Sequence, residues 1–202
     1  MNIPNKPKLE VEMIPSTNFY NNVRSAVTQY RWDVIRKNSY EKANHKCEIC
    51  GETGKEQGYK HLQECHEIWD YNFLKKIQKL IGLISLCPRC HMCKHIGRAF
   101  AVGKQAEVFL HLEKINKWSH KEVVDYLAEV FMEHYIRSQE NWVVDLEYLV
   151  ENCGVDKLVV ENAKKGTNKP KRTYFYKKSK SKNKYKRKIS TKSTPIKKGP
   201  TQ

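Results

Sequence analysis

Two C-x-x-C pairs, Cys47-Glu48-Ile49-Cys50 and Cys87-Pro88-Arg89-Cys90, constrain this chain more than any other feature. Four soft ligands in two such pairs suit the tetrahedral thiolate sphere that zinc favours, so the pattern predicts one structural zinc site. The 36 residues between Cys50 and Cys87 exceed common zinc-ribbon spacings, and a hairpin is needed to close the gap. Residues 59–69 alternate as a strand, with Tyr59, His61 and Gln63 on one face and Leu62, Glu64 and His66 on the other. A turn is expected near Asp70-Tyr71-Asn72. Residues 77–86 (IQKLIGLISL) form the most β-like run and would return antiparallel to the first strand. Pro88 suits the first turn of a helix carrying Cys90, His91, Lys94 and His95.

The flanks read as helical. Residues 19–44 place Val23, Val27, Tyr30, Val34 and Ile35 at helical spacing, in one or two helices leading to Cys47. Residues 104–117 are amphipathic, with Val108, Leu112 and Ile115 inward, and Ser119-His120-Lys121-Glu122 has capping-box spacing for a longer helix to about Gln139. Residues 142–149 fit a short strand or a helical turn. His111, His120 and His134 lack partners at ligand spacing and receive no chemical role. Four segments follow: an N-terminal extension (1–18), a zinc module with its leading helix (19–98), a helical subdomain (99–163) and a Lys-rich tail (164–202).

Charge is concentrated in that tail. It holds 16 of the 38 basic residues and no acidic one, so the other 22 basic residues balance all 22 acidic ones and the net charge of +16 belongs to the tail alone. Its low apolar content predicts disorder. Its charge, with Tyr174, Phe175, Tyr176 and Tyr185 interleaved, predicts a nucleic-acid grip through residues such as Lys171, Arg172, Lys177, Lys178, Lys186, Arg187 and Lys188. With no run of about 18 apolar residues and no signal-peptide core, the chain is expected to be soluble, unexported and without a membrane partner. Seven cysteines in such a chain point to metal rather than disulfides.

A second group of potential ligands lies beside the first. His91 and His95, spaced i, i+4, project from one face of a helix and can bind one ion, with Cys65 or a neighbouring acid as a third ligand. His66 would then be free to act as a general base near a metal-polarised phosphate.

Over about residues 45–98, the C-x-x-C pair, the Cys65-His66 strand pair and the run Leu86-Cys87-x-x-Cys90-His91-x-x-x-His95 resemble the HNH, or ββα-metal, nucleases. The flanks resemble small HNH-type proteins of phages and bacteria, which implies a cytoplasmic setting in a bacterium or phage-infected host. The resemblance implies a zinc-clamped ββα-metal module in an α+β fold. Cys47, Cys50, Cys87 and Cys90 would hold structural zinc, Cys65, His91 and His95 would hold a catalytic cation, and His66 would accept the proton of the attacking water. Two positions depart from the family pattern. Cys65 stands where Asp or His is usual and leaves the cation open among magnesium, manganese, nickel and zinc. Gly82 stands where an Asn commonly orients the base.

The expected function is therefore a metal-dependent DNA endonuclease with a tail that binds without sequence choice. The alternative is a catalytically inactive zinc module that binds DNA or RNA. An assembly protein docking through residues 104–150 is a third and lesser reading.

Overall fold

The structure, a computed structural model, describes residues 6–166. The seven tail residues named above as nucleic-acid contacts lie outside that range, as does the disorder expected of the tail. The hairpin between the cysteine pairs is β1 (Glu64–Asn72) antiparallel to β2 (Ile77–Leu86), with Glu64 opposite Leu86 and Asn72 opposite Ile77. The register shifts between Ile68 and Trp69, whose partners Gly82 and Leu80 flank the extra residue Ile81 of β2.

The second strand matches the sequence expectation residue for residue, and the first does not. Residues 59–63 form a loop, because the Leu62 carbonyl accepts from Gly54 N at 2.6 Å rather than from a strand. Glycine is required at 54, since a Cβ there would meet His61 O at 2.1 Å. At the other end, Asp70, Tyr71 and Asn72 are paired residues instead of the turn. The chain reverses beyond them, where the Asn72 side chain accepts from Lys75 N at 2.9 Å and Lys76 adopts φ +52°.

Helices surround the sheet on both faces. The leading segment forms α1 (Val23–Ala26) and α2 (Gln29–Lys42), each opened by a side-chain cap, from Asn22 and Thr28. After β2 come α3 (Pro88–Lys94), with Pro88 at its start as expected, and α4 (Ile96–Ala101). Then follow α5 (Gln105–Asn116) and α6 (His120–Arg137), the latter opened by the Ser119–Glu122 capping box. Residues 142–149 supply both alternatives read from the sequence: β3 (Val143–Asp145), parallel to β2, and the start of α7 (Glu147–Cys153). The last helix is α8 (Lys157–Gly166).

Two apolar clusters lie in the fold. One gathers Leu86, Ile96, Val108, Leu112, Val123 and Leu127 around Cys47, Cys87 and Cys90, with Ile84 against it. The other joins α1, α2, α7 and α8 to the sheet through Val23, Ile35, Trp69, Leu80, Val144 and Leu149, with Leu83 against it. A side chain such as Leu112 or Leu80, fully buried, contributes about 1.5–3 kcal/mol.

Within the N-terminal segment Leu9 and Val11 are buried, Leu9 exchanges two hydrogen bonds with the Asn116 side chain, and Val11 N donates to the Tyr126 hydroxyl at 2.8 Å. Within residues 99–163, α5 and α6 share a core with Cys47, Cys87 and Cys90, and β3 joins the hairpin sheet. No helix among the described residues is long and apolar enough to cross a membrane.

Candidate metal centres

The zipped ends of β1 and β2 bring the cysteine pairs together. Glu48 N donates to Ser85 O at 3.0 Å, and Ser85 N donates to the Glu48 carboxylate at 2.7 Å, docking the first knuckle onto the end of β2. Within that knuckle Gly51 N donates to Cys47 O at 2.8 Å, and Gly51 takes φ +81°, a conformation glycine adopts without strain. The second knuckle turns at Cys87, which caps α3 through its sulfur.

The sulfurs of Cys47, Cys50, Cys87 and Cys90 lie within 4.8 Å of one another, close enough to hold a metal such as zinc. Cys50 Sγ and Cys87 Sγ are 3.5 Å apart, near the separation of about 3.8 Å that a tetrahedral ion with Zn–S bonds of about 2.3 Å imposes. The thiols titrate against one another. Hydrogen bonds from Cys87 and Cys90 push Cys47 well below the usual thiol range, bonding to Cys47 pushes Cys90 up, and burial pushes Cys50 up to about 12. All four ionise together only with a cation to offset the charge.

Two residues outside the motif support these sulfurs. Gln57 Nε2 donates to Cys87 Sγ at 3.1 Å, while its Oε1 accepts from Arg89 N. His111 of α5, given no role from sequence, lies buried with Nε2 3.2 Å from Cys90 Sγ. N–H donors to sulfur spread the charge that four thiolates concentrate. Spacing carried no signal for either residue, since each comes from a different element.

The second centre is three imidazoles. His66 of β1, His91 of α3 and His95 at the junction of α3 and α4 each offer a ring nitrogen within 4.8 Å of the other two. Nε2 of His91 and Nε2 of His95 are 3.1 Å apart, as the i, i+4 spacing leads one to expect. Carboxylates hold the outward nitrogens. His91 Nδ1 is 2.5 Å from Glu64 Oε2, and His66 Nε2 is 3.1 Å from Glu12 Oε2. That leaves His66 Nδ1 buried without a hydrogen-bond partner among the described residues, the state of a nitrogen with a lone pair available to an ion.

Electrostatics favour the ligating form. Burial lowers the pKa of His66 against the opposing pull of Glu12, and burial with its two neighbours lowers His95 to about 3, so both rings are neutral near pH 7. Burial raises the Glu64 and Glu12 carboxyls, but hydrogen bonds to His91 and to His66 respectively outweigh it and hold both ionised. Glu12 also accepts from the buried Lys94 Nζ at 3.1 Å. The donor set therefore fits a divalent cation bound by three imidazoles, with Glu64 orienting the His91 ring and Glu12 the His66 ring.

Two sequence expectations change here. Cys65, expected as a ligand of this centre, lies against Ser39 and Tyr40 of α2, where burial pushes its thiol up to about 11. Adjacent strand residues face opposite sides, so Cys65 and His66 cannot share a site. His66, expected to stand beside the cation as a free base, is placed as one of three candidate ligands. Gly82 pairs with Ile68 in the middle of β2, and it is Glu12 that holds the His66 ring.

The chain matches no protein-family model, no curated protein and no solved structure.

Proposed function

We propose that this chain is an HNH-type, metal-dependent endonuclease that hydrolyses DNA phosphodiester bonds at the His66, His91 and His95 centre. Cys47, Cys50, Cys87 and Cys90 hold a structural zinc in this reading. The observation that carries it is the convergence of three imidazoles, two of them held by carboxylates, beside a separate thiolate site. A divalent cation bound there would supply Lewis acidity to a phosphate oxygen and acidify a water. The chain's own part is to fix the geometry. Glu64 sets the His91 ring, Glu12 sets the His66 ring, and Lys94 balances Glu12 inside the fold. His91 and His95 are partly exposed and give substrate its approach, while His66, 4 % exposed, closes the inner side. Residues 164–202 supply charge that holds phosphates without reading bases.

The second reading, a zinc-bearing module that binds nucleic acid without cutting it, draws on the burial of His66, which suits a structural ion as well as a reactive one. Plasmid nicking across magnesium, manganese, nickel and zinc, beside His95→Ala, separates the two. Cleavage that His95→Ala abolishes supports the enzyme. Binding without nicking under every cation leaves the module.

A further inference from the structure

A cavity of about 490 Å³ lies apart from both metal centres, lined by α1, β3, α8 and the residues that lead into α1. Its floor is apolar, including Val144 and Leu146, and its polar lining includes Asn21, Asn22 and Asn162, with Tyr20 at the rim. No charged side chain among the described residues lines it. That lining suits a neutral, flat ligand with mixed donors and acceptors.

The hydrogen-bonding capacity still available is specific. The Asn22 carbonyl oxygen is occupied by Ser25 N, which leaves its amide N–H₂ as donor. The Asn21 amide nitrogen donates to Asn18, which leaves its oxygen as acceptor. Asn162 is exposed and offers both. Carboxamides with paired donor and acceptor match the edge of a nucleobase, adenine best of all. Tyr20, 61 % exposed, lines the cavity and supplies an aromatic ring on which a base can stack.

We propose that this cavity receives an unpaired nucleobase of a single strand. The inference rests on the nucleic-acid reading above and adds to it a site for a base.

The test compares the affinity of the full zinc-loaded chain for a single-stranded oligodeoxyadenylate with its affinity for an abasic oligomer of equal length and charge. Fluorescence anisotropy gives the affinities, and strand integrity is checked by gel. The base-bearing strand is expected to bind roughly tenfold more tightly, the scale of one stacked base. Tyr20→Ala and Asn162→Ala should each shrink that ratio, and together abolish it, without moving abasic affinity or its salt dependence. Equal affinities in the parent, or a ratio unchanged in the double variant, overturn the cavity's role alone. If neither oligomer binds, the nucleic-acid reading falls as well.

Discussion

Oε2 of Glu12 lies 3.1 Å from Nε2 of His66, joining a residue of the N-terminal segment to a strand residue 54 positions later. The other oxygen of the same carboxylate accepts from Lys94 Nζ at 3.1 Å. One half-buried anion thus orients an imidazole of the candidate metal centre and neutralises a buried ammonium on the helix that carries another. Glu12→Ala leaves Lys94 buried without its counter-charge and should cost about 3–5 kcal/mol, measurable by denaturant unfolding. Affinity for the second metal should fall roughly 10–100-fold with the loss of the partner that fixes His66. Glu12→Gln keeps an acceptor and should lie between the parent and Glu12→Ala on both measures.

The thiolate and imidazole groups share no ligand, so their metals should be separable. His95→Ala should retain the ion of the cysteine site and the folded state while losing the other ion, as read by metal analysis after dialysis and by circular dichroism. Cys90→Ala should do more damage. Cys90 sits fully buried in a core that includes Leu86 and Leu112, and loss of the zinc would release the knuckles that close the hairpin. A strong chelator should reproduce the Cys90→Ala unfolding. A chelated protein that stayed fully folded would rule out a structural role for that site.

How much of this was legible beforehand follows from the range of each interaction. The cysteine quartet, β2, the α3 start at Pro88 and the His91–His95 pair are set by spacing within a few residues, and sequence alone located them. Glu64 was legible too, since strand alternation put it on the face of His66. The same alternation sets Cys65 on the face opposite His66, which the sequence reading of Cys65 as a ligand did not use. Glu12, Gln57 and His111 were not legible. Each reaches its partner across a long loop or from another element, and no local pattern marks a residue whose role is set by tertiary packing.

Placing Cys65 on the α2 side has a direct consequence. Cys65→Ala should leave metal content unchanged at both centres and, if the chain cuts DNA, leave the nicking rate unchanged, whereas His66→Ala should cost one ion. The thiol is protonated and set against Ser39, so the substitution should cost no more than a partly buried side chain does, about 1–2 kcal/mol. Loss of the second ion in Cys65→Ala would return the cysteine to the ligand set.

On that same face of β1, Glu67 accepts a hydrogen bond from Val23 N at 2.8 Å, and burial raises its pKa from the ordinary carboxyl value to about 7. The unfolded chain ionises this group near pH 4.5, so between that pH and about 7 the native state holds a proton that the unfolded state has released. Stability from this residue is therefore fully present at low pH and is lost as pH rises through about 7, by up to about 3 kcal/mol. Glu67→Gln retains an acceptor for Val23 N and carries no charge at any pH. Relative to the parent it should gain stability between pH 6 and pH 8, a window that stays clear of the acid release of thiolate-bound metal. Urea unfolding of both proteins across that window provides the check: the difference between them should grow with pH, and a difference that stays constant would mean that Glu67 is ionised in the folded chain throughout.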